Sequence, residues 1–327
     1  MGIREFGLTF NRQFERWMFI IIPASLVLGF VFASPLAPFI QSVPYLFAYV
    51  TLTMAIGCGL GQLRAVMRRP GIMGLTFIIA HVLSPLAAYG LGTLIFGAGS
   101  PYVVGLVLFT IIPIGVSTVL WVGMSGGSVP LMLAMVVLDS ALSPLIVPVG
   151  IQLFFNSAVE VKAGPMIIDL LIIIVLPTII GVALHQLSKG RIQGFVQPVA
   201  APISKLCFVA VVALNASAIA PHVEQLKEDM LVLVPLVVVL VGICYALGYI
   251  GTIHLRNHEQ QVTVSYATGM RNISLGIVLA LSYFSPLAAV PVVLSILIQQ
   301  PIATVHQYIL QKLYKKKSGE TAVRDVR

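Results

Sequence analysis

The chain has 327 residues, of which 58% are hydrophobic and only 9% charged, with a formal net charge of +8. A water-soluble domain carries about a quarter charged residues, so the composition excludes a soluble enzyme or nucleic-acid-binding domain and points to the bilayer as solvent. The excess of Lys and Arg then belongs to membrane topology and anionic headgroups rather than to a nucleic acid.

Ten apolar stretches are long enough to cross a hydrocarbon core of about 30 Å. They are 17–36, 44–63, 73–97, 101–124, 128–155, 165–187, 200–221, 230–253, 261–283 and 286–311. The first follows Arg4, Arg12 and Arg16; it exceeds the length of a signal-peptide core, about 7–15 residues, and is expected to stay as a helix. The third holds His81 before Pro85, expected to make a helix-to-helix hydrogen bond before it serves as a proton relay. The fourth holds Ile112-Pro113-Ile114-Gly115-Val116-Ser117-Thr118. Proline removes a backbone donor and glycine tolerates unwinding, so a break is expected there. The fifth carries Asp139 near mid-depth, and the seventh carries Asn215, which bridges helices or contacts substrate. The ninth holds Ala267-Thr268-Gly269-Met270-Arg271-Asn272, a second expected break with a charge at its centre, and the tenth holds Gln299 and Gln300. Trp17 and Tyr102 are expected as interfacial anchors. Cys58, Cys207 and Cys244 are far apart and give neither metal-ligand spacing nor a disulfide framework.

Apart from Arg271, Lys and Arg collect at the amino terminus, after the second, sixth and eighth stretches, and in the tail, with only Lys162 and Lys227 on the opposite face. Both termini are therefore expected in the cytoplasm, and the membrane to be the plasma membrane. The halves match at an offset of about 154 residues: Pro23 with Pro177, Gly115 with Gly269, and, slightly shifted, Ser143-Pro144 with Gln300-Pro301. Five stretches per half is odd, so the repeats are expected to be inverted. The expected division is 1–156, 157–314, and a basic cytoplasmic tail, 315–327.

A charge inside a span is costly, and it is kept because it pairs or lines a path. Asp139 and Arg271 are such charges near mid-depth, and the chain has almost no other charge within its spans. Three arrangements stay open: a structural ion pair, a pair released by protonation or by a competing anion, and two charges that face water separately.

The same motifs carry a resemblance. Pro113 to Thr118 with Gly127-Ser128-Val129, Ser143-Pro144-Leu145-Ile146-Val147-Pro148, Ala267 to Asn272, and Ala289-Val290-Pro291 through Gln299-Gln300 together look like the bile acid:sodium symporter family. The chain resembles that family over nearly its whole length. The resemblance implies an all-α membrane protein of ten transmembrane helices in two inverted five-helix repeats. A panel of helices one, two, six and seven would pack on a core of three to five and eight to ten. Spans four and nine would be broken and cross near two sodium sites and an organic-anion site. At the sodium sites the chain departs from the pattern. The family's shared glutamate aligns with Ala267 and its glutamine with Arg271. Its Ser-Asn pair aligns with Thr118 and Val119, and its two hydroxyl ligands with Met132 and Val136. A glutamine of span three aligns with Ala80. These departures argue against sodium binding in the relatives' manner, while a fixed Arg271 beside Ala267 would supply positive charge permanently.

The expected function is secondary active transport of a small organic anion by alternating access, without enzymatic chemistry, cofactor or metal other than a coupling sodium ion. Coupling to protons or to sodium stays open. The expected substrate set is Arg271, Asn272, Thr268, Ser117, Thr118, Gln299, Gln300 and Asn215, with Asp139 and Arg271 as a charge pair. Arginine suits carboxylate, sulfate or phosphate through two parallel hydrogen bonds. The alternatives are a metalloid oxyanion exporter of the same ten-span plan, against which the lack of a cysteine in span four counts, and a non-transporting membrane receptor.

Overall fold

A computed structural model describes the chain except residues 1–2, 69, 156–162, 222–226, 256 and 325–327. The expected boundary at 156/157 and Lys162 lie outside the described residues, as do the side chains of Lys227 and of Lys315 to Lys317. Among the described residues every named element is helical, and the extended pairing is one antiparallel bridge between Ile114 and Arg271.

The prolines explain much of the helix geometry. Helix α1 (Ile3–Val31) bends by 75° between Arg4–Met18 and Ile20–Val31. Pro23 has no N–H for the carbonyl of residue 19, four positions back, which is where the bend falls. Helix α2 spans Ala33–Ala55 and α3 spans Leu60–Met67. Helices α4 (Pro70–Phe96) and α8 (Ala163–Leu187) each contain one π turn, Ile79–Leu83 and Leu171–Val175. Each turn ends two residues before a proline, Pro85 and Pro177. The ladder widens ahead of a residue that cannot donate.

Two stretches are interrupted. Helix α5 (Pro101–Ile111) stops at Ile112-Pro113, and α6 (Thr118–Met124) resumes the path. Helix α7 follows as Val129–Phe155, α9 as Arg191–Ile219 and α10 as Lys227–Gly251. Helix α11 (His258–Gly269) stops at Met270, and α12 (Ile273–Tyr283) begins after Asn272. Helix α13 runs Pro286–Arg324. Among the described residues seven helices are long and apolar enough to cross a membrane, eight if the bent first helix counts as one span. The second stretch, read as 44–63, instead starts and ends earlier, because Gly57-Cys58-Gly59 stops the helix before α3.

The helices form two bundles. Helices α1, α2, α8 and α9 pack chiefly on one another; α4 to α7 and α10 to α13 form the other body. Small residues allow close approach in the first bundle: a Cβ on Gly29 would lie 2.2 Å from the carbonyl oxygen of Ala213 in α9. In the second, α5 is buried from Val103 through Ile111. Leu94, Leu153, Leu187, Phe195 and Leu231 are exposed by 79% or more. Large apolar side chains this exposed on many helices suit lipid, and the chain is a multi-pass membrane protein.

Candidate substrate cavity and helix crossing

The two interruptions meet. The Gly115 N–H donates to the Met270 carbonyl at 3.2 Å, and the Asn272 N–H donates to the Pro113 carbonyl at 2.8 Å. Unwound backbone must find partners inside a membrane protein, and here each break supplies them to the other. The approach leaves no room for a side chain: a Cβ on Gly115 would lie 2.7 Å from the Arg271 carbonyl oxygen.

One side chain from the next helix steadies each break. From α7, the Asp139 Oδ2 accepts the Ile114 N–H at 2.7 Å. From α13, the Gln299 Oε1 accepts the Arg271 N–H at 2.8 Å, while its Nε2 donates to the Arg271 carbonyl at 3.3 Å. The guanidinium then ties both to α4. Nη2 of Arg271 donates to the Ala80 carbonyl at 2.7 Å, and Nη1 donates to the Ile112 carbonyl at 3.4 Å. Sequence accounts for both acceptors. In the π turn the Ser84 N–H reaches back to Ile79, and the next donor in that series would be Pro85, which has none. Ala80 is left free to accept. Ile112 lies past the end of α5, where helix carbonyls lack donors.

Arg271 is 2% exposed and Asp139 fully buried, yet they do not bond to one another. The direct ion pair weighed from the sequence is not formed. Asp139 Oδ1 instead accepts from the His81 Nε2 at 2.7 Å, with the His81 side chain 7% exposed. With Asp139 as a carboxylate, which has no proton to give, Nε2 carries the hydrogen. The two charges are separated by the Ile112–Ile114 backbone and hold its opposite ends.

A cavity of about 890 Å³ ends on this crossing. Its floor holds Gly115, Val116, Ser117, Arg271, Asn272, Ser274, Gln299 and Gln300. Phe14, Met18, Ile22, Phe47, Val50 and Phe208 give it apolar walls from the first bundle, and Arg4, Asn11, Glu15, Gln193 and Lys205 are further lining residues. The lining holds three cations, Arg4, Lys205 and Arg271, against one carboxylate, Glu15. Lys205 is engaged, donating to Glu15 at 2.8 Å and to the Asn11 carbonyl at 3.1 Å. Helix α12 starts at the floor with Asn272 as its cap, so its positive dipole end and first N–H groups are at the floor.

Of the expected substrate residues, Ser117, Arg271, Asn272, Gln299 and Gln300 line the cavity, and Gln300 is held through its Oε1 by the Trp121 Nε1–H at 2.7 Å. Thr118, Thr268 and Asn215 do not. Thr118 is fully buried with an unpartnered hydroxyl. The Thr268 hydroxyl is directed to backbone carbonyls, Cys244 nearest at 2.9 Å. Asn215 is buried with its Nδ2 unpartnered. Tyr102, expected at the lipid interface, is buried and donates to Asp229 at 2.5 Å. Sequence reasoning missed Gln193, Gln197 and Lys205. The first two lie four apart, on one face of α9, and Lys205 lies within the apolar stretch 200–221 but reads as a loop charge.

The Sodium Bile acid symporter family model matches residues 43–222. The chain is 34% identical over 298 residues to the uncharacterized protein YbaS of Bacillus subtilis (strain 168), covering 91% of this chain and 97% of that one. It is 26% identical over 328 residues to the uncharacterized sodium-dependent transporter YocS of the same organism, with 97% of each chain covered. A probable sodium/metabolite cotransporter, BASS2, of Oryza sativa subsp. japonica is 25% identical over 76% of this chain and 58% of its own. The matched family segment takes in α4, the first break, Asp139 and the α9 wall of the cavity, and the chain belongs to the sodium bile acid symporter family.

Proposed function

We propose that this protein is a secondary transporter that carries a small organic anion across the plasma membrane by rocking one helix bundle against the other, with Arg271 as a resident cation at the crossing. The observation that carries the reading is the Arg271 guanidinium bridging the Ala80 and Ile112 carbonyls directly behind the cavity floor. Ala80, Ala267, Val119, Met132 and Val136 offer no side-chain oxygen to a sodium ion there. A guanidinium fixed on two carbonyls puts a positive charge at the floor in a low-dielectric setting, where charge acts strongly, with the Asp139 carboxylate on the far side of the Ile112–Ile114 backbone. Together with the α12 dipole it favours an anionic head, while the phenylalanine walls suit an apolar body. In this reading each broken pair crosses as one span, giving ten spans in two inverted repeats with both termini cytoplasmic, and the cavity opens to the cytoplasm.

Counterflow in proteoliposomes tests the transport. Liposomes loaded with unlabelled cholate or pyruvate should accumulate the labelled anion, in potassium medium as well as in sodium. A receptor would bind without exchange. Arg271→Gln should abolish uptake; unchanged uptake would remove Arg271 from the mechanism.

The unpartnered Thr118 hydroxyl favours a second reading, in which a sodium ion binds there with backbone carbonyls, as the names of the YocS and BASS2 relatives suggest. Ligand binding raises apparent stability by mass action. A saturable, sodium-specific rise in melting temperature that vanishes in Thr118→Val would establish it.

A further inference from the structure

We propose that the buried His81–Asp139 pair behind the crossing is a proton-binding site whose occupancy is linked to that of the anion cavity. This rests on the transport reading above and adds the coupling species. The geometry is specific. Asp139 spends one oxygen on His81 and the other on the Ile114 N–H. The Nδ1 of His81 is buried and has no partner. With Nε2 carrying its hydrogen, Nδ1 presents a lone pair, the one vacancy in this chain of bonds that a proton can fill. The proton comes from water, settles on Nδ1, and leaves the Nε2–H bond to Asp139 intact as an imidazolium–carboxylate bond.

The surroundings decide what that proton does. Helix α7 contributes Asp139 to the pair. From the second break Arg271 bonds to Ala80, the residue next to His81. Helix α10 brings the buried Cys244 thiol near Arg271. Helix α5 has no charged residue over Pro101–Ile111. On α11, the Tyr266 hydroxyl is taken by Ser125 and Ala303, and His258 and Glu259 lie in the first turn, three turns from the break. So with the pair unprotonated, the Asp139 carboxylate balances Arg271 and the crossing is neutral. With one proton bound, the pair is neutral and Arg271 is unbalanced. An anion at the floor then restores neutrality in a region where net charge is costly. By linkage, the anion strengthens proton binding by the factor by which the proton strengthens anion binding. Neither His81 nor Asp139 is among the cavity-lining residues, so the crossing screens the pair from the cavity. Proton entry then requires the crossing to move, as coupled transport demands.

The test uses the full-length protein in lipid nanodiscs. Difference infrared spectroscopy across a pH series should record one imidazole or carboxyl protonation step. The signal should be absent from both His81→Gln and Asp139→Asn. Because either variant can unfold, the wild type is also measured alone: adding cholate to weakly buffered protein should take up close to one proton per bound cholate. In wild-type proteoliposomes without sodium, an acid-outside gradient should raise cholate uptake at least tenfold over the gradient collapsed by a protonophore. A flat titration in the wild type, or one retained in both folded variants, overturns the site. Cholate that binds and exchanges without proton uptake or gradient response overturns the coupling while the transport reading stands. Failure of cholate to bind strikes the anion reading instead, and a titration lost in both variants still supports the proton site.

Discussion

Arg271 is the residue on which sequence and structure meet most directly. Its burial is visible in the sequence, since it stands alone in a long apolar stretch, but its partners are not. Neither Ala80 nor Ile112 has a side chain that advertises hydrogen bonding; both act through backbone carbonyls, one left free by Pro85 and the other past the end of α5. For the same reason the sequence pairs Arg271 with Asp139, the obvious opposite charge, when each in fact neutralises a different end of one peptide segment. Removing the guanidinium in Arg271→Gln leaves two buried carbonyls without donors, at about 1–3 kcal/mol each. An apparent loss of roughly 2–6 kcal/mol is expected in the detergent-solubilised protein. Arg271→Lys keeps the charge but cannot span both acceptors, so it should fall between wild type and Arg271→Gln; equal stability of the Lys and Gln variants would show that charge contributes nothing. Gly115→Ala places a methyl against the Arg271 carbonyl. Backbone on both sides must give way, so thermal stability should drop by about 1–3 kcal/mol, with counterflow falling alongside it.

At the scale of the elements, prolines write most of the story. Pro113 and the Gly-Met-Arg-Asn run announce the two breaks, and the structure has interruptions at both. What the sequence does not announce is the π turn of α4, because periodicity is blind to one extra residue per turn. The same blindness explains Thr118 and Thr268: both belong to helices whose rotation about the break decides whether a hydroxyl meets the cavity or a neighbouring helix. Asn215 is a similar case, a polar residue whose depth is legible and whose facing direction is not. The π turn makes a prediction that separates stability from function. In Pro85→Ala the new N–H can close on the Ala80 carbonyl, which then competes with Arg271 for it. Melting temperature should hold or rise, since a missing helix bond is restored, while anion affinity should fall several-fold as the guanidinium loses its anchor. A lower melting temperature with unchanged anion affinity would mean that Ala80 is not what positions Arg271.

The two-bundle division becomes mechanistic when the cavity is set against its opposite end. The lining includes Gly190 and Gln193, which follow the carboxyl end of α8, and Arg4 near the start of α1. Asp169 sits near the other end of α8, about 27 Å of helix away at 1.5 Å per residue. There it accepts a hydrogen bond from the Tyr283 hydroxyl at the far end of α12, and this bond crosses from one bundle to the other. The bonds of Lys205 with Glu15, Gln197 with Thr53 and His185 with Ile56 stay within the first bundle. Those of Trp121 with Gln300, His81 with Asp139 and Tyr102 with Asp229 stay within the second. Rocking the bundles to open the opposite side must therefore break Tyr283–Asp169. A hydrogen bond to a charged carboxylate contributes about 1.5–3 kcal/mol, so Tyr283→Phe or Asp169→Asn should move the ratio of the two states about ten- to a hundredfold toward the one open on that side. The shift is measurable with Ser117→Cys on the floor, in a background where Cys58, Cys207 and Cys244 are replaced by alanine. A membrane-impermeant maleimide should reach that thiol from the Lys205 side when Tyr283 and Asp169 are intact. With either residue changed, labelling from the Asp169 side should rise and labelling from the Lys205 side should fall. Labelling that stays one-sided in both variants would mean that apolar packing alone, such as Val43 and Leu214 of the first bundle against Val278 of α12, keeps that side shut.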